Sequence, residues 1–149
     1  MKKIGDYRKL LGVTKMATLS ELKTIYRNFM KEFHPDKFNG NEELKLEAEE
    51  KSKQIIAAYH FLVSIAPETI AQTLPEYTLT ITTSGIADFK YTGTTLRIDF
   101  IDGSAYEYFE VPKNTYVKLV NADSQGRFVR RHISGTFTYR NVSRAAVMA

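Results

Sequence analysis

The apolar residues of this 149-residue chain change period part-way along, and a chain can satisfy two periods only by building two kinds of structure. Up to about Ala66 they recur every three or four positions in a background of Lys, Glu, Leu and Ala, the pattern of amphipathic helices. From Tyr77 the vocabulary is Thr, Tyr, Phe, Ile and Val, with apolar positions alternating, the pattern of strands. Pro67 and Pro75 bracket the change, and the stretch between them reads as a linker with room for one helical turn. The expected organisation is α+β. A helical hairpin domain fills 1–66, a linker 67–76, and a small, mostly antiparallel β-sheet domain with one or two helices fills 77–149. Each half is about 70 residues, a size that buries only about 60% of its unfolded surface and is marginally stable alone.

Composition removes several chemistries. With no cysteine there is no disulfide, thiolate nucleophile or Cys-based zinc or iron–sulfur site, and three histidines are too few for a multi-histidine metal centre. No cofactor or metal is expected. No run of about 18 apolar residues offers a membrane span. The N-terminal MKKIGDYRKLLGVTK lacks the apolar core of a signal peptide, so the cytoplasm is the expected compartment and no membrane the expected partner. The net charge of +4 divides into 12 Lys+Arg against 9 Asp+Glu up to Ala66 and 9 against 8 beyond it, so neither half is a nucleic-acid binder on charge alone. From Lys118 onward, however, six cations face the single acid Asp123.

In the helical half, Asp6 to Leu11 forms a short helix that Gly12 ends. Thr18 and Glu21 then make a T-x-x-E capping box, worth roughly 1 kcal/mol. Leu22, Ile25, Tyr26, Phe29 and Phe33 supply the buried stripe of a helix running from about Leu19 to Phe33, which Pro35 stops by driving His34 out of the α region. Lys23, Arg27 and Lys31 line the other face at four-residue spacing. On an arbitrary helix such a ridge is merely a solvated surface. A polar loop, His34-Pro35-Asp36-Lys37 and on to Asn41, leads to a long helix from about Glu42 to Ser64, with Leu44, Ala48, Ile55, Tyr59 and Leu62 facing inward.

D-Y-x-x-L-L-G-V (Asp6 to Val13), the capped helix with Tyr26-Arg27, His34-Pro35-Asp36-Lys37 and A-A-Y-x-x-L (Ala57 to Leu62) occur in order and at the right spacing. Together they resemble a DnaJ-type J domain over about residues 4–64. The resemblance implies a co-chaperone that is not itself an enzyme. It docks on a DnaK-type chaperone ATPase and accelerates ATP hydrolysis, coupling it to capture of a client protein. It further implies that Lys23, Tyr26, Arg27 and Lys31 are docking positions and that His34, Pro35 and Asp36 are the trigger. Two departures stand out. The fourth short helix of J domains is not evident after Ser64, where Pro67 interrupts, and Ser52 occupies the slot of a core Phe. A Ser there loses roughly 2–4 kcal/mol of burial unless neighbours such as Phe38 or Ile56 refill the space.

In the second half, Thr78–Thr83, Ile86–Tyr91, Thr95–Ile101 and Ala105–Val111 read as strands. A three-residue loop, Ile101-Asp102-Gly103 with Gly103 left-handed, pairs Ile98 with Tyr106, Leu96 with Tyr108 and Arg97 with Glu107, matching core to core and charge to charge. Pro112 opens a helix ending near Ala122, a short helix follows over Phe128–Ile133, Thr136–Val142 is the last strand, and the tail SRAAVMA frays. The ordered elements L-x-I-x-F-x-D-G-x-x-Y-x-Y-x-x-V-P (Leu96 to Pro112), A-D-S-Q-G-R-F (Ala122 to Phe128) and Ile133 resemble a KTSC domain, the module named for the C-terminus of some lysyl-tRNA synthetases. It would serve as a client-binding or localisation arm; RNA binding has been suggested for the family.

For an RNA-binding adaptor, Tyr106 and Tyr108 would form a stacking platform and Arg127, Arg130, Arg131 and Arg140 would grip phosphates. Alternatively both tyrosines pack as core, since they share a face with Leu96 and Ile98, and the arginines are a solvated surface. A scaffold with a degenerate J domain is the third reading. Asp123, Ser124 and His132 lie too close in sequence to suggest a catalytic triad, and His60 reads as surface or packing.

Overall fold

Helix α1 (Ile4–Leu11) stops at Gly12, whose φ of +70° a side chain would resist. Helix α2 (Leu19–Phe33) starts on the expected cap: the Glu21 amide donates to Thr18 Oγ1 at 3.1 Å. It ends at His34, which is extended (φ −61°, ψ 131°) ahead of a single 3-10 turn, Pro35–Phe38. Helix α3 (Glu42–Ile65) is capped by Asn41, whose Oδ1 accepts from the Leu44 amide at 3.1 Å. In this computed structural model, which describes residues 4–143, the chain divides into two units, Met1–Ala71 and Gln72–Ala149. The first is the expected helical hairpin with α1 packed on α3, Tyr7 lying 4.8 Å from Phe61. Leu11, Leu22, Ala48, Ile55, Ala58, Leu62 and Ile65 form its core. Leu44, expected inward, is exposed in the first turn of α3.

The stretch read as a linker is helical. Helix α4 (Pro67–Thr83) begins with Pro67 in its first turn, where the missing N–H of proline leaves no bond unmade. Residue Pro67 therefore opens a helix where it was expected to interrupt one. In that first turn Glu68 Oε1 accepts the amide of Leu19, at the start of α2, at 2.6 Å. A carboxylate on free amides at a helix N-terminus is favoured by both hydrogen bonding and the helix dipole. The expected strand Thr78–Thr83 is the C-terminal end of the same helix. Tyr77, Thr80 and Ile81, at helical spacing, are buried, while Leu79, which the alternating pattern would bury, is 63% exposed. The threonines are accommodated because Thr82 and Thr83 turn their hydroxyls back onto the carbonyls of Thr78 and Leu79, each at 2.6 Å.

The second unit holds a four-stranded antiparallel sheet in sequence order: β1 (Ile86–Thr92), β2 (Thr95–Phe100), β3 (Ala105–Tyr108) and β4 (Tyr139–Asn141). The β2–β3 register is the expected one, Leu96 opposite Tyr108, Arg97 opposite Glu107 and Ile98 opposite Tyr106, and Gly103 has φ +91°. β3 stops at Tyr108, short of the expected Val111, as Glu110 takes a left-handed φ of +59° and turns the chain. Helix α5 (Lys113–Val120) follows Pro112; α6 (Gln125–Phe128) continues into a π-helical turn, Val129–Ile133. The expected fraying of the tail falls on residues 144–149, outside the described residues. The fold is thus α+β, helices first and sheet second.

Removing the Glu68 carboxylate tests the unexpected bond. Glu68→Ala should cost the first unit about 1 kcal/mol, the middle of the range for a helix cap with a charged acceptor exposed to solvent. Glu68→Gln should cost less, and chemical denaturation of the full chain would measure both.

Candidate functional site

The loop after α2 is presented outward. Asp36 has a side-chain exposure of 83% and His34 of 49%. Pro35 occupies the first position of the 3-10 turn, and the Lys37 amide closes that turn on the His34 carbonyl at 3.0 Å. The Asp36 amide donates to His34 Nδ1 at 3.2 Å, so Nδ1 acts as an acceptor within the loop. The Asp36 carboxylate lies 3.5 Å from the same Nδ1. At 83% exposure the carboxylate keeps accepting capacity for a partner. Lys23, Arg27 and Lys31 are all exposed along α2, and among the described residues none of them forms an ion pair. Tyr26 is half-buried, its ring stacked on Tyr59 at 4.3 Å, so it can offer an edge but not a free ring. The hairpin therefore holds a row of free cations on the helix that leads into an exposed imidazole and carboxylate.

Sequence reasoning did not find two supports of this arrangement. Ser52, buried on α3, donates its hydroxyl to the Phe33 carbonyl at 3.1 Å, so the slot expected to lack a Phe gains a hydrogen bond instead. Glu68 of α4, which accepts the Leu19 amide at the start of α2, is the other.

In the second unit the expected stacking platform does not form. Tyr106 is 3% and Tyr108 0% exposed. They belong to a cluster of four tyrosines: Tyr77 stacks on Tyr139 at 4.1 Å, Tyr106 meets Tyr77 edge-on at 4.9 Å, and the Tyr77 and Tyr108 hydroxyls share a hydrogen bond of 2.8 Å. The pleat explains this, because a residue alternating in phase with Leu96 and Ile98 must share their buried face. Nor do the arginines gather beside the tyrosines. Arg140 pairs across the sheet with Glu107, on the opposite face from Tyr106 and Tyr108, its Nε 3.8 Å from the Glu107 carboxylate. Arg130 donates to the Ile81 carbonyl near the end of α4 at 3.3 Å, a helix-capping role. Arg127 and Arg131 are exposed. Lys90, Arg97 and Arg140 share the polar face with Asp99 and Glu107, Arg97 being held by Asp99 at 3.1 Å. That face is mixed in charge, not a phosphate track. Ser124 is occupied as the cap of α6, accepting from the Arg127 amide at 3.3 Å. Among the described residues no group of three or more His, Asp or Glu could hold a metal, and no helix is long and apolar enough to cross a membrane.

Burial disfavours tyrosinate, and it is the first cause of raised hydroxyl pKa values at Tyr77, Tyr106, Tyr108 and Tyr139, with Tyr106 and Tyr139 pushed up to about 12. At Tyr106 the nearby Glu76 and Asp102 carboxylates add to the effect. The unfolded chain ionises its tyrosines near pH 10, before the folded one does, so their contribution to stability is complete below about pH 10. It declines as the pH rises towards the folded value. Denaturant midpoints of the second unit's transition should therefore fall steadily from about pH 10 towards about pH 12. Tyrosinate absorbance from the cluster should rise with unfolding rather than ahead of it.

Comparison with known proteins divides the chain in the same way. The DnaJ domain family matches residues 6–68 and the KTSC domain family residues 82–137. A chaperone protein DnaJ of Wolbachia is 47% identical over 57 residues, which is 38% of this chain and 14% of that protein. A lysine–tRNA ligase of Trichormus variabilis is 40% identical over 62 residues, 40% of this chain and 11% of that protein. The chain thus spans a small fraction of the length of these relatives. The crystal structure of a KTSC domain protein from Yersinia pestis overlaps 41% of this chain and 87% of its own at 28% identity, with a TM-score of 0.38.

Proposed function

Because the chain joins a DnaJ domain to a KTSC domain, we propose that it acts as a J-domain co-chaperone, docking on a DnaK-type chaperone and stimulating its ATP hydrolysis. The observation that carries this reading is the exposed His34-Pro35-Asp36 loop at the end of a helix whose cations are unpaired among the described residues. Lys23, Arg27 and Lys31 steer the domain toward an acidic surface, which chiefly raises the association rate and fixes orientation. Asp36 accepts from a cationic side chain of the partner, bidentately if that is an arginine. His34 donates through Nε2, and Pro35 fixes the backbone between them. No bond in this chain is made or broken; the chemistry belongs to the ATPase. The KTSC domain supplies the arm that brings a client protein or a location.

An ATPase assay with the purified DnaK-type chaperone tests the proposal. The full chain should stimulate hydrolysis, and His34→Gln and Asp36→Asn should each reduce stimulation on the order of tenfold or more, the cost of stripping one partner from a desolvated charged contact. Absence of stimulation by the unsubstituted chain, or equal stimulation by both variants, would reject it. Arg27→Glu should act differently. It should raise the half-saturating concentration while leaving maximal stimulation near its original value, and added salt should narrow the gap.

A further inference from the structure

Ser52 is 5% exposed on α3, and its hydroxyl donates to the carbonyl of Phe33 at 3.1 Å, bridging 19 positions of sequence. That oxygen belongs to the peptide group that joins Phe33 to His34. At the opposite edge of the same group, the His34 N–H donates to the Met30 carbonyl at 3.0 Å. A peptide group is a rigid plane with no internal freedom worth the name. Two hydrogen bonds at opposite edges therefore fix its tilt, and with it the direction in which His34 leaves the helix. The next bonds build on that direction: the Lys37 amide closes on the His34 carbonyl at 3.0 Å, and the Asp36 amide on His34 Nδ1 at 3.2 Å. The orientation of imidazole and carboxylate thus traces back, bond by bond, to a hydroxyl on another helix.

We infer that Ser52 is a positioning residue for His34, Pro35 and Asp36: it touches no partner itself but orients the loop that does. Without it the Phe33 carbonyl is one of the orphan acceptors at a helix end, and the peptide group is held at one edge only. The inference rests on the docking role proposed above for the loop, but the geometry it predicts can be read without that role. A purely stabilising hydroxyl would raise the unfolding free energy of the hairpin and leave the loop's conformation as it is. A positioning hydroxyl changes the loop selectively.

The test uses the full chain with Ser52→Ala, Ser52→Thr, and Ile55→Val as a core control on the same helix, Ile55 being fully buried. In the ATPase assay Ser52→Ala should lower maximal stimulation about fivefold, the equivalent of one hydrogen bond. The half-saturating concentration, set by the ridge on α2, should move by less than about twofold. Ser52→Thr, which keeps the hydroxyl, should restore most of the stimulation, and Ile55→Val should reduce thermal stability without reducing it. Amide hydrogen exchange supplies the second readout. The His34, Asp36 and Lys37 amides should exchange about fivefold faster in Ser52→Ala, and not in Ile55→Val. Stimulation by Ser52→Ala equal to that of the unsubstituted chain, or loop exchange no faster than in Ile55→Val, overturns the inference and leaves the co-chaperone reading standing. If the unsubstituted chain gives no stimulation, the co-chaperone reading is what fails, and the exchange rates alone then support or overturn the positioning role.

Discussion

The proline after His34 is the constraint from which the first unit's working surface follows. Its ring excludes His34 from the α region, so α2 must stop there whatever the propensity of the residues beyond. Stopping a helix leaves its last carbonyls without partners, and their satisfaction decides what the following residues do. Here the Met30 carbonyl takes the His34 amide, the Phe33 carbonyl takes the Ser52 hydroxyl, and the 3-10 turn forms on the His34 carbonyl. The loop is exposed, yet the His34, Asp36, Lys37 and Asn41 amides are each given an acceptor. The Asp36 carboxylate and the half-exposed His34 imidazole remain available to something outside the molecule.

Much of this was legible in the sequence, and for identifiable reasons. The T-x-x-E box, the apolar spacing of α2, the stop at Pro35 and the polar loop beyond it are local: each follows from residues within one or two turns. The β2–β3 register was legible in the same way, because only a three-residue loop places charge opposite charge and core opposite core. The supports were not legible. Ser52 and Glu68 act on backbone atoms 19 and 49 positions away, and a side chain's hydrogen bond to a distant main-chain group leaves no periodic trace. By volume Ser52 is a loss against a Phe; what its slot contains is the Phe33 carbonyl, which the Ser52 hydroxyl pairs.

Helix α4 shows how propensity misleads at a boundary. Its last turns, Thr78–Thr83, are rich in β-branched residues and alternate Leu79 with Ile81, which is the signature of a strand. Two things outweigh it. Tyr77, Thr80 and Ile81 bury one helical stripe, and each buried apolar side chain is worth more than the few tenths of a kcal/mol by which threonine disfavours a helix. The Thr80 hydroxyl is further engaged by Asp102 at 2.8 Å, and Thr82 and Thr83 satisfy their hydroxyls on the preceding turn. Pro67 misled in the opposite sense. A proline in a helix interior removes a hydrogen bond, as Pro75 does within α4, but at the first position its fixed φ and missing donor both suit the start.

The tyrosines of the second unit raise the same issue of context against residue type. A tyrosine has one polar atom, so it can serve as a wet stacking surface or as a core residue with a tethered hydroxyl. The pleat decides between these before any chemistry is considered. Tyr106 and Tyr108 stand in phase with Leu96 and Ile98, whereas Arg97, Glu107 and Arg140 stand out of phase on the other face. A surface that used both sets at once, aromatic rings to stack and guanidinium groups to hold phosphate, would need them on one side of the sheet. A two-residue period forbids that without a bulge, and the one register shift in this sheet, between Ile86 and Asp88, lies in β1, away from both. The rings are therefore committed to the interior of their unit. For a nucleic acid, the mixed-charge sheet face and the exposed Arg127 and Arg131 offer electrostatic contacts, without Tyr106 or Tyr108 to stack on.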